Sequence, residues 1–455
     1  MGLWSFITLP FRTTINSILL VTSIFFFFIR LSWQITSLTP LFSYIAYVSF
    51  TSFILVAIMD PQISRTVAKA IPVQALSFMF CAAMCTMTEV PHYVILMKVA
   101  VILYVKLFGI LGYWLGWLFM LVDVLNIAAS LYLYAENVRI AEVIAQKSSA
   151  PQSDRYSLLS LLSRSLTPFY KVASADDLII YRSVKYYAAE DMVDPSIASM
   201  EYEDTDTCDI YSYGTTSSAA ALRPVLLHLH GGAWTRGSKD LPTPLLPIFA
   251  ERGFLVVSAN YRLAPQYPQP AGLQDVQIVL KWIRQNIVAY GGDASFVIVA
   301  GDSAGGHLAH LASLLSAGDG DGAGAVVQGS ILLYPALEVL DEFGTGPRER
   351  QNFVDNVCAG NQAAAEKLSL VGHLTAGRQI PPALAFHGQP DSLIPVQATV
   401  KFADKAKEVG AEFKLITLPL TQHLYTIFNS PKSIATSELA AEWALNLYSS
   451  RKKGQ

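Results

Sequence analysis

Residues 296–315 read FVIVAGDSAGGHLAHLASLL: an apolar run of strand length, a turn of small residues, then a helical pattern of small and apolar ones. Ser303 lies at the centre, with Gly301 two places before it and Gly305 two places after. A serine held in a strand-to-helix turn needs both glycines, because side chains there would clash, and the turn lifts the hydroxyl above the sheet edge. The bare pattern G-x-S-x-G is a weak signal; its place between a strand and a helix gives it weight. Serine alone is a poor nucleophile, so this reading demands a base and an orienting acid further along the chain.

Of eight histidines, only His423, in LPLTQHLYTIF, falls on a loop after the final strand pattern. His92 lies in an apolar N-terminal region, His228 and His230 flank a glycine pair, and His307 and His310 follow the serine. His373 belongs to an insertion and His387 ends a strand. Asp391, in LAFHGQPDSLIP, follows a strand pattern and is the expected acid, able to hold an imidazole in the useful tautomer. The order Ser303, Asp391, His423 matches the Ser…Asp…His order of one serine-hydrolase architecture and no other common one.

Upstream, PVLLHLHGGAW (224–234) ends a buried strand pattern on two glycines. Bare backbone at a strand end marks a sharp turn or a close approach. Gly231 and Gly232 can present N–H donors to the oxyanion that forms when a serine attacks an ester, with the N–H of Ala304 as partner donor from the elbow. His230 is read as a brace of this loop.

These stretches resemble a known family, the hormone-sensitive-lipase-like branch of α/β-hydrolases, which includes microbial esterases and arylacetamide deacetylase. The matching segments are HLHGGAW, SANYRLAPQYPQPAGLQD, VAGDSAGGHLA, FHGQPDSLIP and TQH, spread over roughly residues 175–450. HGGAW together with an N-terminal membrane region also resembles plant prenylcysteine methylesterases. The resemblance implies an α/β-hydrolase fold with a cap and no metal or cofactor. It also implies a third glycine where this chain carries Ala233, which narrows the room beside the reacting carbonyl. Asp275 matches a family position and is read as a loop brace.

The N-terminal third has a different character. The chain holds 32 basic and 35 acidic residues, yet only eight of these fall between Thr13 and Tyr134. Apolar blocks at 13–28, 41–59, 71–88 and 93–134 approach or exceed the length of about 20 residues that a helical span needs. The last block reads as two spans turned around Gly109 and Gly112, or as one span with a helix beyond the bilayer, so four or five spans are expected in all. Lys98, Lys106 and Asp123 read as snorkelling lysines and an interfacial aspartate, the alternative being a polar pathway. From Ala135 the composition becomes that of a soluble domain, and SLLSLLSRSLTPFY (157–170) reads as an amphipathic helix beside the membrane. Short β-like runs then alternate with helical patterns, which argues for a mostly parallel sheet flanked by helices.

The expected organisation is a membrane region over 1–135, a juxtamembrane helix and cap segment over 136–180, and an α/β-hydrolase domain over 181–450 with a cap insertion at about 338–380. A net charge of −3 and the lack of a basic stripe exclude a nucleic-acid partner. Four cysteines without metal-type spacing read as free, buried thiols. The expected protein is a multi-pass enzyme of the endoplasmic reticulum. It would cleave short-acyl or methyl esters of hydrophobic molecules through an acyl-enzyme, with membrane lipid around it. Four spans would leave the catalytic domain in the cytosol and five would leave it in the lumen. The rival reading is a non-catalytic small-molecule receptor on the same fold, as in gibberellin receptors, which have lost the histidine that this chain keeps at 423.

Overall fold

The alternating strand and helix patterns form one eight-stranded mixed sheet in a computed structural model of the chain. The structure describes residues 39–59, 63, 74–147, 178–188, 204–213, 222–316, 327–340, 347–377 and 379–453. The strands are β1 (Leu178–Lys185), β2 (Thr207–Tyr213), β3 (Arg223–Leu229), β4 (Leu255–Ala259), β5 (Gly292–Asp302), β6 (Val327–Leu333), β7 (Ala383–Gly388) and β8 (Phe413–Leu418). Their order across the sheet is β1-β2-β4-β3-β5-β6-β7-β8. Antiparallel pairing joins β1 to β2 and β2 to β4, and every other pairing is parallel.

Central strands covered on both faces bury successive residues on opposite sides. Leu227, Val257, Val299, Leu332 and Ala385 fall in one core cluster. Their neighbours Leu226, Val256, Ile298, Ile331 and Leu384 fall in the other. The strands thus read as continuous apolar runs while each supplies two cores.

Before the sheet come α1 (Thr39–Met59), α2 (Gln74–Glu89), α3 (Pro91–Leu107) and α4 (Trp114–Ala145). Within and after it lie α5 (Leu245–Glu251), α6 (Ala271–Asn286), α7 (Ala304–Ser316), α8 (Pro347–Asn352), α9 (Gln362–Lys367), α10 (Val396–Glu408) and α11 (Pro431–Lys453). Helices α6, α7 and α10 cover the first face of the sheet, through Val279, Leu308 and Phe402 among others. The second face takes α5 and α11 through Phe249, Ile434 and Leu439. Cys85, Val90, Ile140, Ala141 and Ile144, from α2, α4 and the residue between α2 and α3, share that second core. Helices α2 and α4 are therefore packed into the second core of the sheet and not merely strung before it.

Among the described residues, α1 and α4 are long and apolar enough to cross a membrane by length and composition; the pair α2–α3, bent by 95°, makes a third if it counts as one span. The bend falls at Val90, just before Pro91, whose missing N–H suits a helix start. The apolar block at 13–28 lies outside the described residues. The 93–134 run breaks where the sequence suggested: α3 ends at Leu107, Gly109 turns in the left-handed region at φ +63°, and α4 begins at Trp114. Helix α4 then continues through the composition change at Ala135 as far as Ala145.

One expectation for the charged residues of this region needs correction. Lys98 does not snorkel: it is fully buried and ion-paired with Asp123, which is equally buried. Lys98 also donates to Thr51 Oγ1 at 3.0 Å and lies over the Tyr47 ring, while Asn126 donates to Ser52 Oγ at 2.9 Å. A charge held among helices needs such a set of partners, and this one joins α1, α3 and α4. Lys106 is exposed.

All four cysteines are free and buried. The segment 157–170 and the glycine-rich connector at 319–325 lie outside the described residues. Within the expected cap insertion, α8 runs into a π-turn over Phe353–Val357, followed by α9. Phe353 packs edge-on against Trp234 at 4.9 Å, and the Leu368 carbonyl meets His307 Nε2 at 2.9 Å. The insertion therefore lies against the glycine loop and the helix that follows the serine.

Candidate active site

Strand β5 delivers Ser303 to the end of the sheet, and α7 starts at the next residue. Ser303 has φ +54°, a left-handed conformation that costs a non-glycine residue of order 1–3 kcal/mol and persists where the surroundings enforce it. Enforcement is visible on both sides. The Ser303 N–H donates to the Leu333 carbonyl at 2.9 Å, and its carbonyl accepts from the N–H groups of His307 at 3.1 Å and Ala336 at 3.3 Å. A Cβ on Gly301 would lie 2.3 Å from the Gly305 carbonyl oxygen, and one on Gly305 would lie 2.2 Å from that of Leu229. Neither glycine can carry a side chain in this turn.

The loop after β8 swings back to place His423 Nε2 at 2.9 Å from Ser303 Oγ. Its other ring nitrogen, Nδ1, lies 2.7 Å from Asp391 Oδ2. Asp391 Oδ1 accepts from the N–H groups of Leu393 at 2.9 Å and Ile394 at 2.8 Å, so the carboxylate is fixed before it meets the imidazole. Burial by itself would raise the Asp391 pKa; His423, with hydrogen bonding from His387, outweighs it and holds the carboxyl well below its usual range. The acid is thus an anion throughout the neutral range, able to stabilise an imidazolium on His423.

Gly231 lies against the elbow: a Cβ there would meet the Asp302 carbonyl oxygen at 2.9 Å and Ser303 Cβ at 3.4 Å. Gly232 has φ +134°, and a Cβ on it would fall 1.9 Å from the Arg236 carbonyl oxygen. Ala233 and Trp234 follow at φ +53° and +58°, so three successive residues take positive φ. Ala304 opens α7, where a backbone N–H has no partner within the helix. Gly231 thus brings bare backbone against the elbow, with Gly232 next to it in the chain and the N–H of Ala304 directly after the serine.

The remaining histidines behave as structural groups. His230 stacks on Tyr261 at 4.4 Å, and burial lowers its pKa to about 4, so it is neutral and braces the glycine loop. His307 and His310 are likewise lowered by burial, to about 4 and about 3. Asp275 accepts from the Arg262 backbone N–H at 2.7 Å and from Tyr187 Oη at 2.6 Å, and pairs with the Arg262 guanidinium at 2.8 Å. It braces a loop.

Beneath the elbow lies a polar cluster that the motifs did not announce. Asp302 accepts from Thr426 Oγ1 at 2.8 Å and Tyr334 Oη at 3.0 Å, and meets His228 Nε2 at 2.7 Å. Tyr334 also touches Thr426, and its ring lies 4.5 Å from that of His423. His387 reaches Asp391 Oδ2 at 3.2 Å. Adjacency of Asp302 to Ser303 was the only sequence signal for any of these.

The chain is also similar to known proteins. Residues 208–406 match the BD-FAE family model. The chain is 31% identical over 245 residues to the esterase LipQ of Mycobacterium tuberculosis, covering 50% of this chain and 56% of that one. It is 39% identical over 134 residues to arylacetamide deacetylase of Bos taurus, covering 28% and 33%. It is 27% identical over 245 residues to isoprenylcysteine alpha-carbonyl methylesterase ICME of Arabidopsis thaliana, covering 49% and 55%. The match with LipQ, like that with the methylesterase, spans about half the length of the relative. Among solved structures, esterase B of Lactobacillus rhamnosis shares the fold with a TM-score of 0.53 at 18% identity, over 70% of this chain and 97% of that one. In sequence the chain is thus similar to esterases and a deacetylase of the hormone-sensitive-lipase-like kind, and it has the α/β-hydrolase fold.

Proposed function

We propose that this chain is a membrane-anchored serine hydrolase that cleaves carboxylic esters through an acyl-enzyme. The observation that carries the reading is the unbroken relay of Ser303 Oγ, His423 and Asp391, at 2.9 Å and 2.7 Å, on a strained turn beside bare backbone.

The steps follow from that arrangement. Ser303 Oγ bonds to the ester carbonyl carbon while its proton passes to His423 Nε2, and Asp391 stabilises the resulting imidazolium. Negative charge collects on the former carbonyl oxygen, where the N–H groups of Ala304 and of Gly231 or Gly232 are worth about 2.7–4 kcal/mol per donor. Collapse breaks the bond to the alkoxy group, which leaves as the alcohol with the proton from His423. Water then gives its proton to His423 and its oxygen to the acyl carbon, and Ser303 is released with the acid. His423 also weighs against the receptor reading, since a binding protein has no use for a base in that position.

The substrate is a hydrophobic molecule bearing a small acyl group, or a small methyl ester. The apolar surfaces of α1 and α4, which expose Phe42, Phe50, Trp117 and Leu121, suit lipid. Ala233 limits bulk near the reacting carbon, and two of the matched relatives are named as a deacetylase and a methylesterase. An address in the endoplasmic reticulum, with four or five spans, completes the proposal. The test is covalent labelling of the full-length protein in detergent with a fluorophosphonate: the wild type labels at one serine and Ser303→Ala does not. Labelling that survives Ser303→Ala would overturn the mechanism.

A further inference from the structure

We infer that Glu89, at the end of α2, is a positioning residue for the catalytic base, so that the N-terminal helices form part of the catalytic apparatus. The inference rests on the hydrolase reading above and concerns what holds His423 in place.

The loop that carries His423 is gripped from two sides. On the sheet side, β7 lies so close that a Cβ on Gly388 would fall 1.9 Å from the Thr421 carbonyl oxygen, and the Ser392 N–H donates to Gln422 Oε1 at 3.2 Å. On the opposite side lies the Lys432 ammonium, almost fully buried, which donates to the Leu420 carbonyl at 3.3 Å and to Thr421 Oγ1 at 3.1 Å. Those two residues lie just ahead of the histidine in the chain.

A buried ammonium that donates to neutral oxygens needs a counter-charge, and among the described residues no carboxylate from the sheet domain is paired with it. Glu89 supplies it, at 2.7 Å from Lys432 Nζ, with both side chains 0–1% exposed. Glu89 is itself held by Ser430 Oγ at 2.6 Å and by Asn137 Nδ2 of α4 at 3.2 Å, while Asn137 Oδ1 accepts from the Lys432 backbone N–H at 3.3 Å. The carboxylate is thus fixed by α4 and by the start of α11 before it meets the ammonium.

Two further contacts bring the same helices to the same loop. The Leu420 side chain packs into the cluster of Ile54, Met84, Val94 and Leu133, which is built from α1, α2, α3 and α4. Cys81 of α2 lies beside Ser392 and the backbone of His423. Removing the Glu89 charge leaves Lys432 buried and alone, a state relieved by deprotonation or by movement toward water. Either change releases its hold on Leu420 and Thr421, and a displacement of about 1 Å at His423 suffices to cost on the order of 10²-fold in rate.

The experiment uses the full-length protein in detergent micelles. Fluorophosphonate titration counts the reactive serines, and kcat and KM on p-nitrophenyl acetate are expressed per titrated serine for the wild type, Glu89→Gln, Lys432→Met and the double variant. The double variant leaves no charge buried alone and recovers thermal stability over either single variant, yet it cannot donate to Leu420 and Thr421. The expected result is a fall in kcat of roughly tenfold or more in all three variants with KM unchanged. Wild-type kcat per titrated serine in the double variant would overturn the inference and leave the pair as scaffolding. Where the single variants do not fold, the double variant and the near-isosteric Thr421→Val, which loses one acceptor of Lys432, decide by the same measure. A wild-type protein that does not label at Ser303 would instead sink the hydrolase reading itself.

Discussion

Thr426 Oγ1 donates to Asp302 at 2.8 Å, across 124 positions of sequence, and so ties the residue before the nucleophile to the loop that follows the base. Tyr334 donates to the same carboxylate and lies against the His423 ring. Nucleophile and base are therefore aligned by one buried aspartate. Asp302→Asn should lower kcat roughly tenfold or more while Ser303 stays reactive toward a small fluorophosphonate. Loss of the paired carboxylate should also cost about 1–3 kcal/mol of stability. Thr426→Val should do the same in smaller measure. Steady-state kinetics with thermal unfolding checks both, and unchanged kcat in Asp302→Asn would refute the alignment role.

For the relay itself, Ser303→Ala and His423→Ala should each reduce hydrolysis of a short p-nitrophenyl ester on the order of 10⁴-fold or more, with the fold intact. Asp391→Asn should fall by a similar factor, because an amide favours the wrong tautomer of His423. Activity in His423→Ala close to that of the wild type would point to another base.

The two glycines of the oxyanion loop should respond differently. Gly231→Ala would put a Cβ 2.9 Å from the Asp302 carbonyl oxygen, so the elbow backbone must shift; it should cost about 10²-fold in kcat and lower the melting temperature, though less than Gly232→Val. Gly232→Val would drive a Cβ into the Arg236 carbonyl at φ +134°, so expression and melting temperature should fall along with activity. A stable, active Gly232→Val protein would show that the loop is only a turn.

Ala233 makes the acyl preference testable. At φ +53° a glycine relieves strain while adding chain entropy to the unfolded state, so Ala233→Gly should be nearly neutral in stability. It should raise the rate on butyryl and palmitoyl esters relative to acetyl esters of the same hydrophobic alcohol. An unchanged chain-length profile, or a wild-type preference for palmitate, would show that Ala233 does not set the limit.

Three buried imidazoles fix an acid dependence of stability. His230 and His307 are lowered by burial from 6.5 to about 4, and His310 to about 3. In each, the unfolded chain takes up a proton more readily than the folded one. Their contribution to stability is complete above about pH 6.5 and is lost as pH falls toward 4 and then 3. The slope is at most about 1.4 kcal/mol per pH unit for each histidine. Melting curves between pH 7.5 and 4 should show a progressive fall below 6.5, and a flat profile between 6.5 and 5 would contradict it.

The elbow and the glycine pair were legible in the sequence because each depends on neighbours a few positions away, whereas Asp391 and His423 were read from their places after strand patterns. Gly301 and Gly305 are demanded by a turn of five residues, and a sheet flanked by helices follows from the alternation of apolar runs. Lys98 misled because hydropathy records the cost of a charge in an apolar block but says nothing about Asp123 on a different helix. Ser430 and Glu89 meet across 341 positions, and no local pattern signals such a contact. The end of α4 escaped the composition change at Ala135 because its buried residues beyond that point, Asn137, Ile140, Ala141 and Ile144, face the hydrolase core instead of lipid.

That shared core bears on the life of the molecule as it is made. The N-terminal helices are made before α11, which supplies Lys432 and packs on the second face of the sheet. That face of the sheet is therefore not fully covered until the helices stand ready and α11 is free to dock. A chain released early, or cut between the helices and β1, would leave an apolar face of the sheet open to water. The cell would meet such a fragment as an aggregation hazard and not as a loose, folded domain.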